Sequence, residues 1–413
     1  AGFSSLAVLQ IQQSHFFTVD TFATFFSILG IYFAVEVVTA GKDRISLSSY
    51  LLFGAALGMA VASKINAAPI AFTLPLASLL HWTALSEENK NSQAPKIILY
   101  LVLAAFTSLV VFRICQPYAF EGPGFFNIGL NQQWVDGLRS LRAQTSGDVD
   151  FPPALQWARR PIWFSLKNMV VWGLGLPYGI LAWVGFGWMG WKMISNKSWK
   201  PDLVVWGWTG FYFVWQSTQW NSTMRYQLPI YPLMGIFAAW LFVNIWDKLQ
   251  VDKVQLLGRE VSSGFLKAAV IAVGLFTLIF TAGWAFAFSR IYTEPHPRVA
   301  ATRWIFQNIP GPANLEIKTD TGVLQQLLTY PEGYLIQEGT PWQTRFEARY
   351  DGSLKGIYLP GINNQNPSVN PLTLSIDFFD QAGSQLSSTT KEISFENGQA
   401  EARIELTSPI EIT

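Results

Sequence analysis

Segments of about 20 largely apolar residues are what a helix needs to cross a bilayer, and this chain has them one after another. They fall near residues 17–38, 49–63, 66–84, 97–114, 168–190, 203–220, 226–246 and 265–288. The pattern predicts a polytopic α-helical membrane protein with about eight spans within residues 1–290. Charged residues make up only 13% of the chain, against roughly 25% in ordinary soluble domains. The net charge of +1 excludes an overall basic, nucleic-acid-binding character. One cysteine, Cys115, excludes an intrachain disulfide framework. The chain begins at Ala1 without Met and ends on Ile412-Thr413 in a strand-like run, so a segment of a longer protein is expected.

Tyr50 to Trp82 is too long for one span at about 1.5 Å per residue. Lys64 and Asn66 interrupt it, so it divides into two helices. Gly54 and Gly58 in the first have the GxxxG spacing that permits close helix packing, or that arises by chance. The division also satisfies charge. Short cytoplasmic loops are rich in Lys and Arg. With two helices, Lys42, Arg44, Lys90, Lys96, Lys192, Lys197, Lys200, Lys248, Lys253 and Arg259 all fall on one side. His15 to Asp20, Lys64, Arg113, loop 115–165, Gln219 to Arg225 and everything after Ser289 then share the outer side. Localisation in a cell membrane follows, multi-pass, with the C-terminal region extracytoplasmic.

Loop 115–165 mixes Trp134, Leu138, Leu141 and Trp157 with Arg139, Arg142, Arg159 and Arg160, as amphipathic interfacial helices do. Pro177, between Gly173, Gly175 and Gly179, predicts a kink in the following span. Beyond residue 290, Ala300–Asn308 reads as a short helix, Leu315–Thr319 as a strand and Val323–Tyr330 as another short helix. Residues 291–335 thus form a small α/β linker region. Alternating Leu372, Leu374, Ile376 and Phe378, with turns at Asp351-Gly352 and Asn397-Gly398, predict a β-sandwich over 336–413. Trp342, Tyr350 and Tyr358 could stack on sugar there or pack its core.

The charged residues of the outer side are the candidate site. Asp20 begins the first span; a helix N-terminus favours a carboxylate, and a membrane-edge acid is a functional candidate. Lys64 is either a snorkelling interfacial lysine or a phosphate contact. Arg225 is either an interfacial anchor or a bidentate phosphate ligand. Arg113, Arg139 and Arg142 are further phosphate candidates, with His15 and Tyr226 beside the two main stretches. Three His and one Cys give no metal-ligand spacing, and no glycine-rich nucleotide loop is present. No cofactor is identified; a divalent metal stays open.

Three stretches carry a resemblance. His15-Phe16-Phe17-Thr18-Val19-Asp20 leads into an apolar helix; Gly54 to Lys64 reads GAALGMAVASK; Arg225 to Pro232 reads RYQLPIYP. In that order the chain resembles the polyprenyl-phosphate-sugar-dependent glycosyltransferases of the GT-C superfamily. Within it, the chain is similar to family 39, the protein mannosyltransferase and aminoarabinose transferase group. Ala300 to Pro310 resembles an outer-domain segment of bacterial and archaeal relatives. The likeness covers about residues 10–310, with Ser63 in place of the family's Thr and Ile65 in place of its Gly. It implies an inverting membrane glycosyltransferase with a GT-C-like helix bundle. Its donor would be a polyprenyl-phosphate sugar among membrane lipids, and its acceptor a protein, lipid or glycan. Asp20 would be catalytic; Lys64, Arg225 and Arg113 would bind the lipid phosphate. The family's leading acid would lie upstream of Ala1. A non-catalytic subunit displaying the β-domain, and a lipid or sugar transporter, are the alternatives; the second would need ionisable residues near the midplane.

Overall fold

A computed structural model describes residues 1–41, 45–122, 124–196, 202–250, 253–256, 259–331 and 334–412. The chain divides into two compact units, Ala1–Ile291 and Tyr292–Thr413.

The first unit opens with two short helices, α1 (Gly2–Ser5) and α2 (Val8–His15), which the apolar runs do not signal. The next is α3 (Val19–Thr39), followed by α4 (Leu47–Ser63). Lys64 leaves the helix with extended backbone, φ −157° and ψ 118°. A 3-10 stretch, Ile65–Phe72, then leads into α5 (Thr73–Ala84). Tyr50 Oη and Ser78 Oγ, equally far along the chain on either side of Lys64, lie 2.9 Å apart. The segments α4 and α5 therefore fold back on each other with Lys64 at the tip, and one continuous helix is excluded. Ser49 Oγ donates to Glu36 Oε2 over 3.0 Å at the far end, so α3 runs antiparallel to α4.

The long α6 (Glu87–Cys115) packs along α4. A Cβ on Gly54 would lie 2.3 Å from the Ala104 carbonyl oxygen, and one on Gly58 2.6 Å from that of Ser108. The glycine pair is thus a place of close backbone approach. The connection to the next span holds α7 (Gln132–Ser146), whose N-terminus Asn131 caps, and the single turn α8 (Pro152–Leu155).

The span near 168–190 is interrupted. It comprises α9 (Ile162–Asn168), a wide π turn over Met169–Gly173, and α10 (Leu176–Asn196). The expected kink at Pro177 is instead a break at Gly175, whose φ of +87° suits glycine. Pro177 lies in the first turn of α10, where its missing N–H costs nothing. Then come α11 (Asp202–Ser217), a 3-10 stretch Met224–Ile230 and α12 (Tyr231–Lys248). A hairpin of β1 (Lys253–Leu256) and β2 (Arg259–Ser262) leads to α13 (Ser263–Ser289).

All eight expected segments are helical, and among the described residues five stretches are long and apolar enough to cross a membrane. These are Val19–Thr39, Ile65–Ala84, Glu87–Cys115, Met224–Lys248 and one beginning at Ser263. Along α6 and α13 most side chains are not buried, and Ile98, Phe106, Leu109, Phe276, Ile279 and Phe286 are exposed. Soluble proteins rarely show contiguous apolar surface of this extent; lipid is the solvent that suits it.

The second unit begins with α14 (Pro297–Asn308). Its strands are β3 (Ala313–Thr319), β4 (Gly322–Leu328), β5 (Gly352–Asn363), β6 (Leu372–Phe379), β7 (Gln385–Ile393) and β8 (Gln399–Ile412). An antiparallel sheet of order β4-β3-β5-β8 faces the separate β6-β7 hairpin. Phe378 from the hairpin shares a core with Leu315, Ile317 and Leu354, which makes the unit sandwich-like. Residues 323–328 are a strand, not the expected helix. They pair with β3, and buried Gln326 is satisfied by Glu347 O at 2.7 Å and Arg349 N at 2.9 Å. Because β3 and β4 belong to the same sheet as β5 and β8, residues 313–328 go with the strands that follow rather than with a linker. Trp342 and Tyr350 pack against that core, which is the structural alternative to sugar stacking.

Candidate functional site

Asp20 lies in the first turn of α3. Thr18, which precedes the helix, donates its hydroxyl to Gln13 Oε1 over 3.0 Å and so ties the end of α2 to the start of α3. The carboxylate is held where unpaired helix N–H groups favour negative charge. It is buried, with 5% of its surface exposed.

The hairpin tip delivers Lys64 to it: Lys64 Nζ donates to Asp20 Oδ1. The same ammonium lies 4.4 Å from the centroid of the Tyr226 ring. The Arg225 guanidinium carbon lies 5.4 Å from that centroid. Tyr226 is therefore in cation–π range of two cations at once. Its 3-10 stretch packs on α3, and Arg225 is near enough for its charge to act on Lys64. Within the cluster one carboxylate faces two cations, which leaves one positive charge for an anion to balance. Arg225 is exposed.

A polar layer lies beneath. Gln227, buried in the same 3-10 stretch, donates to Ser217 Oγ over 3.0 Å. Tyr212 on α11 stands where the Asp20 charge reaches it. Thr24 and Ser27, one and two turns inward from Asp20, are buried with hydroxyls that have no partner among the described residues. Tyr212, Gln227, Thr24 and Ser27 were not singled out from the sequence. The spacing of residues 20, 24 and 27 on one face of an apolar helix was the available signal.

The other candidates go elsewhere. Arg113 is 9% exposed and donates Nη2 to Gly124 O over 2.7 Å. Its guanidinium lies 4.8 Å from the Phe120 ring and 5.9 Å from that of Phe125. It anchors the connection after α6 and, among the described residues, makes no hydrogen bond or ion pair with the Asp20 cluster. Arg139 pairs with Asp136 at 2.9 Å on exposed α7, and Arg142 is exposed on the same helix. His15 ends α2, exposed, with its ring against Phe16 at 5.9 Å. Of the basic loop residues, Lys42, Arg44, Lys197 and Lys200 lie outside the described residues, as does Thr413. Among the described residues no three His, Cys, Asp or Glu side chains are grouped to hold a metal ion.

Comparison with known proteins found no matching family model, no matching curated protein and no matching solved structure.

Proposed function

We propose that this chain transfers a sugar from a polyprenyl-phosphate-linked donor to an acceptor hydroxyl, with inversion, at the membrane surface nearest Asp20. The observation that carries the reading is the ion pair of Asp20 with Lys64, with Tyr226 between Lys64 and Arg225. The net positive charge of this cluster suits a lipid phosphate at a low-dielectric boundary, where unpaired charge is costly. Arg225 would meet the phosphate first. Lys64, drawn toward it, would release Asp20. The freed carboxylate would accept the acceptor's proton as its oxygen attacks the anomeric carbon. The bond from that carbon to the phosphate oxygen breaks, and the phosphate leaves with the electron pair, stabilised by Lys64 and Arg225.

The protein tests this directly. With donor and acceptor supplied, Asp20→Asn should lower kcat by about 100-fold or more, the scale of general-base catalysis. Arg225→Ala should instead act mainly by raising the donor KM. Wild-type turnover in Asp20→Asn, Lys64→Ala and Arg225→Ala alike would leave the cluster a structural staple.

The same reading assigns sidedness. Lys90, Lys96, Lys192 and Lys248 belong to the end of the bundle away from Asp20, and positive charge in short connections marks the cytoplasm. The crossings then leave the chain after Ser289 extracytoplasmic. On a Cys115→Ser background, Val149→Cys and Glu294→Cys should react with a membrane-impermeant maleimide in intact cells. Ser86→Cys and Gln250→Cys should not react until the cells are opened. Labelling of Ser86→Cys in intact cells would reverse the orientation.

A further inference from the structure

A cleft of about 530 Å³ opens in the second unit, between the connection after β5 and the turn that joins β7 to β8. Six carboxamides line it: Asn363, Asn364, Gln365, Asn370, Asn397 and Gln399. Phe395, buried in the core with Ile393, Ala402 and Ile404, also borders it, and among the described residues no charged side chain takes part in the lining. The volume is in the range of small-molecule sites, roughly 300–1,000 Å³.

Two of the amides build the walls. Asn370 is fastened to Phe395 twice, donating Nδ2 to its carbonyl oxygen and accepting from its N–H, each over 3.0 Å. Asn364 donates Nδ2 to Val369 O over 2.8 Å and accepts at Oδ1 from the N–H of Asn366 over 2.8 Å. Its own N–H donates to Gly398 O over 2.8 Å, which locks one wall to the other. The remaining four, Asn363, Gln365, Asn397 and Gln399, have no side-chain hydrogen-bond partner among the described residues. All four are exposed, with donors and acceptors open to solvent or to a ligand.

We propose that this cleft binds a neutral saccharide. A carboxamide presents two donors and an acceptor with two lone pairs, which matches a sugar hydroxyl that both gives and takes a hydrogen bond. Phe395 is mostly taken up by the core, so recognition rests on the amides. A phosphate or uronic acid would find no cation here. An extended peptide normally docks by pairing along an open strand edge; here Glu396 and Gln399 already bond each other across the turn, at 2.9 and 3.0 Å. Asn364 and Asn370, held by their own loops, fix the walls before any ligand arrives, which lowers the ordering cost of binding. The site is separate from the Asp20 cluster and does not depend on transfer there.

The test uses the whole protein in lipid nanodiscs without any lipid-linked donor. Binding would be measured by saturation-transfer NMR and calorimetry. The probes are neutral oligosaccharides of mannose, glucose, galactose and N-acetylglucosamine, a uronic-acid oligomer, and an unstructured peptide. At least one neutral oligosaccharide should bind. The double variant Gln365→Ala/Gln399→Ala should weaken it about tenfold, the scale of one or two neutral hydrogen bonds. Gln365→Glu, which keeps the shape and adds charge, should weaken it too. Absence of binding by every neutral probe up to millimolar concentration, unchanged binding in both variants, or preference for the acidic oligomer or the peptide would each overturn the proposal. None of these results bears on the kinetics of Asp20→Asn.

Discussion

Lys64→Met alone should cost the protein about 3 kcal/mol of stability, and adding Asp20→Asn to the same chain should restore most of it. Breaking a buried ion pair by removing one partner strands the other charge, whereas removing both strands nothing. Asp20 has 5% of its side chain exposed and Lys64 has 22%. The pair is thus wet on one side only, which puts the cost near the lower end of the range for buried pairs. Without the ammonium the carboxylate keeps its helix N-terminus but must take a proton or admit water. Unfolding in mixed detergent, followed by tryptophan fluorescence, would measure both variants. A double variant as unstable as Lys64→Met would show that the lysine contributes through its packing on Tyr226 rather than through charge.

The second large effect belongs to the seam between α4 and α6. Gly54→Ala puts a methyl group 2.3 Å from the Ala104 carbonyl oxygen, with the Ala104 Cα at 3.1 Å. Both obstacles are backbone, so no rotamer relieves the clash and the helices must separate. Overpacking of this kind costs about 1–3 kcal/mol, occasionally more, and the upper figure is expected. Gly58→Ala meets the Ser108 carbonyl oxygen at 2.6 Å and the Val111 Cβ at 2.9 Å, and should behave alike. Gly187→Ala on α10, with nothing within 4 Å, is the control and should be near neutral. Recovery of monodisperse protein after a heat step separates these outcomes. Equal recovery of Gly54→Ala and Gly187→Ala would mean that α4 and α6 do not approach as described.

Where the sequence was legible, one residue did the work. A lysine in the middle of a long apolar run has to reach water, and that requirement marked the Lys64 turn. It also placed Lys64 on the same side as Asp20 and Arg225, which the chain separates widely. Contacts within the cluster were not legible. Nothing in a linear pattern shows that Tyr226 would meet both Lys64 and Arg225, or that Arg113, at the same end, would be taken up by Phe120 and Gly124. The short α1 and α2 escaped because they lack the length of a span; the burial of Ala7 between them and of Val8 and Leu9 in α2 is visible only once the bundle is assembled. Val323 to Leu328 misled for a different reason. Leu and Gln favour helix intrinsically, and Leu324, Leu327 and Leu328 have helical spacing. Pairing with β3 and the burial of Gln326 outweighed that preference, as tertiary context commonly does.

The length of α4 has a consequence for the surrounding lipid. With 17 residues, α4 rises roughly 26 Å at 1.5 Å per residue, less than the roughly 30 Å of a typical hydrocarbon core. Its neighbour α6, at 29 residues, exceeds that thickness by a wide margin. A bilayer around this pair must dip toward the short helix or tilt the long one, at a fraction of a kcal/mol per ångström. Thinning at the Lys64 tip would draw phosphate headgroups inward toward the surplus positive charge of the Asp20 cluster. Membrane thickness thereby becomes a variable that sets how deeply the charged end of this protein is immersed.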